Sequence, residues 1–540
     1  MLRILLVALS LGVLFACEPT SPDLTGGEYQ KAPFEGVDTL ATNDWWNRGE
    51  NPIIDLKADR DSVIAFAAYT VARSTLKLSA QLYPLYPTES REVVLEVMAD
   101  GTWSEVGREK VNDLGWSALF RVDDWGGAQT VPYRLRHGKA AVYEGSIRAT
   151  PAPGAQFTLA AFSCNSNKDR GDREGYVRNV AVVDPDLIFF AGDQSYDHKE
   201  HTAAWLKFGQ QFRETFRHRP MVAITDDHDI GQGNIWGEGG KVASSSAGDD
   251  GGYFYHHEYV KMVERCQTSH LPDPYDPTPI GQGIGVYYTS YPIGEVDFAI
   301  IEDRKFKSGP KGKVPQMGPR PDHVNDPSYD PSAIDLPGLK LLGDRQLAFL
   351  KAWGEDESAG RMKAVLSATG FCGGAHLHGN QDNRLHADLD SNGWPQTGRN
   401  KAISAIRAAG AVHIAGDQHL ATVIQHGTDE FRDGPWAFVV PAAVNNYYSR
   451  WWWPADEQAG ARPVPGSPLP WTGDYLDGFN NHISVQAYAN PDQAASGAGF
   501  GVIRFDQKKG EVTLECWPRN ADLNQPDAEQ FPGWPVVVKL

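Results

Sequence analysis

The chain is predicted to fold as a layered α/β domain, a buried β-sheet core with helices, preceded by a small all-β sandwich. Three observations predict this. Short apolar runs separated by turn residues fill residues 38–152, apolar runs alternate with amphipathic segments from residue 157 onward, and five of the later runs end in residue types that bind metals or anions. With 540 residues, 41% of them hydrophobic, the chain is long enough for two cores, because one core rarely grows past about 250–300 residues.

Residues 1–17 read as an export signal. Arg3 supplies a positive charge and residues 4–16 form an apolar stretch too short to span a bilayer as a mature helix. Leu14-Phe15-Ala16-Cys17 resembles a bacterial lipobox, which implies that Cys17 carries a lipid and anchors the exported protein to a membrane, in the periplasm or at the cell surface. Residues 18–37, rich in Pro, Thr, Ser, Gly and Asp, read as a tether too polar to pack.

In the β domain, residues 38–152, strands are expected at 62–79, 92–98, 117–122 and 129–136. The Pro-Ala-Pro-Gly sequence at 151–154 marks a linker, and the α/β domain is assigned to 156–540. There, the run 157–163 ends at Cys164, 187–191 at Gly192-Asp193, and 221–225 at Asp226-Asp227-His228-Asp229. The run 298–301 leads into Glu302-Asp303-Arg304, and 411–415 into Gly416-Asp417-Gln418-His419. Ligands of open α/β sheets bind outside the carboxyl ends of the strands, so five such endings converge on one site. Helices are expected at 203–216, 346–353 and 401–409, with their aromatics in the core, and a hairpin at 502–517 turns at Lys508-Lys509-Gly510.

A net charge of −19 without a basic run argues against a standing nucleic-acid partner. It does not exclude phosphate-ester chemistry, since bound metal ions set the local field. Cys164, Cys266, Cys372 and Cys516 are far apart and lack any CxxC spacing, so a disulfide framework is not expected. In an oxidising compartment they read as one bridge plus buried thiols, with the pairing of Cys266, Cys372 and Cys516 open.

Taken in order, Ser163-Cys164, Gly192-Asp193-Gln194-Ser195-Tyr196, Asp226-Asp227-His228-Asp229 and Gly416-Asp417-Gln418-His419 resemble the ordered ligand blocks of calcineurin-like metallophosphoesterases. Cys in the first block, GDxxY in the second, DDHD in the third and an acidic residue before Arg304 resemble the PhoD-like, alkaline phosphatase D branch. The resemblance covers residues 157–540, and the preceding β domain matches that branch's layout. It implies a metallophosphoesterase-type sheet core and a metal-dependent phosphomonoesterase or phosphodiesterase. It also implies Fe³⁺ with Ca²⁺, a set that coordination chemistry supports. Thiolate (Cys164), phenolate (Tyr196) and carboxylate (Asp193) suit ferric iron, and oxygen ligands suit a hard divalent ion; Zn²⁺ or Mn²⁺ remain open. Asp193 would bridge, Asp227 and Asn234 would hold the second metal, and Asp417 and His419 would close the site. Asp226 is either a ligand or an orienter of one. The lone-His block between the third and last motifs is not recognisable, although residues 370–380 hold Cys372, His376 and His378.

Metal-acidified water would supply the attacking hydroxide. His228 is then the expected proton donor to the leaving group, with Asp229 or another carboxylate holding its tautomer. Arg304 is the expected phosphate clamp, its planar fork matching a pair of phosphate oxygens. Lys305 and Lys307 read chiefly as solvated surface charges. The aromatic run Tyr447, Tyr448 and Trp451 to Trp453, like Trp394, reads as packing before it reads as a stacking platform. Two other functions stay open: another metal-dependent ester hydrolase, such as a sulfatase or a polysaccharide-processing enzyme, and a non-catalytic metal- or ligand-binding lipoprotein. A Ser-His-Asp hydrolase is disfavoured, because no GxSxG elbow occurs.

Overall fold

The computed structural model describes residues 24–28, 31–326, 328–358, 361–374, 385–444, 464–489 and 497–540. Cys17 and the export signal, His376, His378, and the aromatics at 447–453 lie outside the described residues.

Two large mixed sheets pack face to face, with helices on both outer surfaces. The first runs in the order Met221–Ala223, Leu187–Phe190, Phe157–Asn165, Gly499–Asp506, Glu511–Pro518, Val536–Lys539, with Ala442–Val444 also pairing along Phe157–Asn165. The second runs Thr289–Ile293, Val296–Ile300, Met362–Thr369, Val412–Gly416, Trp436–Val439, Thr422–His426, His482–Tyr488, Gly473–Leu476. The alternation of strand side chains builds the layers. Phe298 and Ile300 face the space between the sheets, where Phe298 meets Phe157 and Phe505 at ring-centroid distances of 5.6 and 5.9 Å. Their neighbours Ala299 and Ile301 face outward onto helices Gly343–Glu355 and Gln396–Ala408 through Phe349, Leu350, Ile403 and Ile406. On the other side, Phe162 and Phe190 meet Phe208 and Phe212 of helix His201–Phe216. Strands buried on both faces read as continuous apolar runs, which is why the site-bearing strands were legible.

The N-terminal β unit holds a three-stranded sheet (Ile64–Ala72, Thr75–Leu82, Ser117–Val122) and a four-stranded one (Thr102–Lys110, Glu92–Ala99, Val131–His137, Ala141–Ile147). The single run expected at 62–79 is a hairpin, folded at Arg73 and Ser74, whose φ angles of 47° and 62° are left-handed. Strand Thr102–Lys110 escaped notice because its sequence, TWSEVGREK, is polar on both faces and none of its residues is buried. The apolar core of this unit is continuous with helix His201–Phe216. Phe66 meets Trp205 edge-on at 5.4 Å, and a Cβ on Gly209 would come within 2.1 Å of the Phe66 ring.

The expected disulfide does not form: Cys164, Cys266, Cys372 and Cys516 are all buried free thiols. Cys266 sits in the core under the N-terminal unit, whereas Cys372 and Cys516 are filling residues between the two sheets. No helix among the described residues is long and apolar enough to cross a membrane.

Candidate metal centre

The strands converge as their endings predict. Cys164 lies in strand Phe157–Asn165, Asp193 follows Leu187–Phe190, Asp226 and Asp227 follow Met221–Ala223, and Asp417 and His419 follow Val412–Gly416. Cys164, Asp193, Asp417 and His419 all adopt left-handed backbone, with φ of 53°, 60°, 67° and 56°. Non-glycine residues reach that region at a cost that the surrounding structure must cover, and such strain clusters at functional sites. The loops also crowd closely. A Cβ on Gly192 would lie 2.5 Å from the Asp226 Cβ, and one on Gly416 would lie 2.2 Å from Ser163 Oγ. Only glycine lets these strand ends approach.

Three sets of ligand atoms result, each lying within 4.8 Å of one another: Cys164, Asp193 and His419; Asp193, Asp226, Asp227 and Asp417; and Asp193, Asp227 and His228. Asp193 belongs to all three. Its Oδ2 accepts from the Tyr196 hydroxyl at 2.8 Å and lies 3.7 Å from Cys164 Sγ, while the Tyr196 oxygen is 3.2 Å from His419 Nε2. Burial, then the neighbouring carboxylates, push Asp193 well above the usual carboxylate range. Asp227 is raised by burial and Asp193, and Asp226 is raised by burial although Arg304 opposes it. Burial and the Asp193 charge likewise raise the Cys164 thiol and the Tyr196 phenol.

These groups fit metal ions. Among the described residues, Asp193 Oδ1 and Asp227 Oδ1 are buried without a hydrogen-bond partner, a costly state for a carboxylate oxygen unless a cation meets it. Thiolate, phenolate, imidazole and carboxylates are ligand types for transition and hard divalent ions.

The other expected residues take the following places. Arg304 is buried, 5% exposed at its side chain, and its donors are spent on the protein. Nε donates to Asp226 at 2.7 Å, Nη1 to the Asp390 carboxylate at 2.7 Å and Nη2 to Asp417 at 3.1 Å. The Asp229 carboxylate accepts from the backbone amides of Asp193 (2.7 Å), Asp226 (3.0 Å) and Ser195 (3.1 Å), and from Gln267 Nε2 (3.0 Å). It therefore shapes the loops that carry the ligands. His228 Nδ1 meets His198 Nε2 at 2.6 Å. Asn234 donates to Asp322 at 2.8 Å, beside a further group of Asp322, His323 and Asp388.

Lys305 and Lys307 are buried, against their reading as solvated charges. Lys305 pairs with Glu264 (2.7 Å) and Glu302 (2.5 Å), away from the ligand set. Lys307 donates to the Asp390 and Ser391 carbonyls, and burial beside Arg304 lowers its ammonium to about 7. Asp390 and His198 went unnoticed in the sequence. Asp390 stands in a loop with no motif around it, whereas His198, two residues beyond Tyr196, sat within reach of the GDxxY block. A separate open cleft of about 830 Å³, lined by Arg73, Trp125, Pro151 and Glu295, lies at the opposite, amino ends of the strands.

No protein-family model matches the chain, and no curated protein matches it. Among solved structures the likeness is one of fold. A structure of PhoD aligns with a TM-score of 0.62 at 15% identity, covering 89% of this chain and 91% of that one. The purple acid phosphatase PPD1 from yellow lupin (Lupinus luteus) seeds aligns with a TM-score of 0.52 at 12% identity, covering 88% of this chain and 73% of that one. The layered α/β architecture, two mixed sheets flanked by helices, is thus shared with these structures.

Proposed function

We propose that the protein is an exported, metal-dependent phosphoesterase. The observation that carries this reading is the position of Asp193, shared by three ligand groups where the strand ends meet, with the His228 imidazole in one of them. The fold likeness to a PhoD and to a purple acid phosphatase supports it. Bound metal ions would neutralise charge on a phosphate ester and acidify water for its attack. Cys164, Asp193, Tyr196 and His419 are the donors suited to ferric iron, and Asp193, Asp226, Asp227 and Asp417 those suited to a divalent ion such as Ca²⁺, with Zn²⁺ or Mn²⁺ as the colourless alternatives. Asn234, whose Nδ2 donates to Asp322, would offer the second ion its Oδ1.

The chain's own groups would then do the following. His228 gives a proton to the leaving oxygen as its bond to phosphorus breaks and the bond to the water-derived oxygen forms. Asp229 holds the amides of Asp193 and Asp226 in place. Arg304 fixes Asp226 and Asp417 through its planar fork, so its action on phosphate runs through the carboxylates it orients.

Metal analysis of the purified chain, with a panel of phosphomonoesters, phosphodiesters and sulfate esters, tests the reading. Phosphate-ester turnover that chelation abolishes is expected; turnover of sulfate esters alone would overturn it. A ferric–phenolate pair absorbs visible light, so a band that fades in Tyr196→Phe is the signature of iron, and an active colourless protein would remove iron from the assignment. The lipid anchor at Cys17 rests on the lipobox-like sequence. Its test is release of Cys17→Ser protein from the membrane fraction.

A further inference from the structure

We propose that His198 is a positioning residue for His228: it fixes the imidazole that protonates the leaving group, the task the sequence assigned to a carboxylate. The inference rests on the phosphoesterase reading for its kinetic consequence but on geometry alone for the contact. His198 Nε2 lies 2.6 Å from His228 Nδ1, with the ring centroids 4.9 Å apart. The opposite constraint on His228 is the Tyr196 ring, stacked at 4.1 Å. One hydrogen bond and one stacked ring together define the plane and the rotation of an imidazole. A bond at Nδ1 also selects its tautomer.

His198 is itself held from both sides along the chain. On one side, Asp197 takes both arms of Arg170, at 2.6 and 2.5 Å, and Asn167 Nδ2 donates to the Tyr196 carbonyl at 3.1 Å and to Asp197 at 3.0 Å. On the other, the Asp38 amide donates to the Lys199 carbonyl, and the Thr39 hydroxyl donates to Glu200 at 2.8 Å. The segment from Tyr196 to Glu200 is therefore clamped between the strand-end loop at 167–170 and the start of the N-terminal β unit. A side chain at the middle of a segment fixed at both ends loses little entropy when it makes its bond. Asp229, the expected orienter, already has four donors on its carboxylate.

A general acid matters most when the leaving oxygen is a poor leaving group, which gives a readout that loss of structure would not mimic. The test uses the full metal-loaded chain with His198→Ala and His198→Asn, assayed on an alkyl phosphate and on 4-nitrophenyl phosphate. Expected for His198→Ala is a fall in kcat on the alkyl ester of roughly 10–100-fold, the usual scale for a supporting shell. KM, metal content and turnover of the nitrophenyl ester should stay close to wild type, and His198→Asn, which keeps a hydrogen-bonding group, should recover part of the loss. Equal falls on both esters, or loss of metal, would overturn the proposal. A second measurement needs no activity: imidazole ¹⁵N resonances of zinc-loaded protein, with His228 assigned by His228→Ala. The His228 signals should change in His198→Ala. Unchanged signals would sink the positioning contact, whereas changed signals in a protein that hydrolyses no phosphate ester would preserve it and remove the phosphoesterase reading instead.

Discussion

Arg304 and Lys305 are neighbours in the chain, both buried, and they send their charges into two different polar regions. Lys305 meets Glu264 and Glu302, and burial raises Glu264 to about 7. Near neutrality Glu264 is thus partly protonated, which reduces the negative charge facing the Lys305 ammonium and brings the region toward balance. Glu302 is further spent on the Tyr287 and Tyr288 amides, at 3.0 and 3.3 Å. Arg304 faces Asp226, Asp390 and Asp417, with Asp193 and Asp227 in the same ligand set. One guanidinium cannot compensate five carboxylates, and burying unpaired charge is expensive. The Lys305 region meets its charges within the protein, whereas the Arg304 region gathers more carboxylates than its one guanidinium meets, an arrangement able to coordinate cations. This imbalance, more than any single residue, marks the site.

The largest effect that would break the contrast is at the shared ligand. Asp193→Ala should remove bound metal, read by elemental analysis, and reduce phosphate-ester turnover to background. Full metal content in that variant would take Asp193 out of the centre. The matching change in the balanced region is Lys305→Met, which strands two glutamates. It should cost about 3–5 kcal/mol of stability in denaturant titration, the scale for breaking a buried ion pair. Metal content should be unchanged. Metal loss there would mean that the two regions are one.

The contrast also explains what the sequence could and could not reveal. The five strand endings were legible because ligand residues must follow buried apolar strands, and buried strands have a strong signature. Cys164, Asp193, Asp226, Asp227, Asp417 and His419 were therefore found together. Asp390 was invisible because it reaches the site from a loop that carries no periodicity, and its importance depends on Arg304 lying across from it. Lys305 and Lys307 were misread because burial of a lysine is decided by partners distant in sequence, Glu264 in one case and the Asp390 and Ser391 carbonyls in the other. The two small sheets were anticipated as a sandwich with its own core. That the core continues into helix His201–Phe216 through Phe66 and Gly209 is a tertiary fact, with no local signal.

A smaller effect is the pH dependence of the metal-free protein. Burial raises Asp38, Asp322 and Glu264 to about 7 and Asp229 to about 6, while these groups in an unfolded chain titrate near 4. Between those limits these acids, with Asp193, Asp226 and Asp227, keep protons in the folded protein that the unfolded chain has lost, whereas burial holds His201, His270, His413 and His426 neutral where the unfolded chain protonates them. The raised acids outnumber these histidines, so stability should fall as pH rises from about 4 to about 7. The melting temperature of chelated protein should follow that slope. Metal loading should flatten the part of the slope carried by Asp193, Asp226 and Asp227, because bound cations favour the ionised ligands. A chelated protein that gains stability over this range would contradict the burial of these acids.

The smallest effect isolates the balanced region from the rest of that slope. Glu264 sits beside Lys305 with its folded-state pKa near 7, so below neutrality it is a neutral acid in the folded protein. Glu264→Gln replaces that acid with an amide of similar shape and leaves Lys305 paired with Glu302. At pH 5 the melting temperature should therefore lie close to wild type. As pH rises from about 4 to about 7, the unfolded wild type ionises Glu264 while the folded protein still holds its proton, a cost that the variant does not carry. Its melting temperature should fall less steeply with pH over that window, so its advantage over wild type should widen up to about pH 7 and stay constant above it, and metal loading should leave that advantage unchanged because the ligand set is not involved. An equal slope in both proteins would place the titration elsewhere. An advantage that vanishes on metal loading would show the Lys305 region coupled to the metal centre.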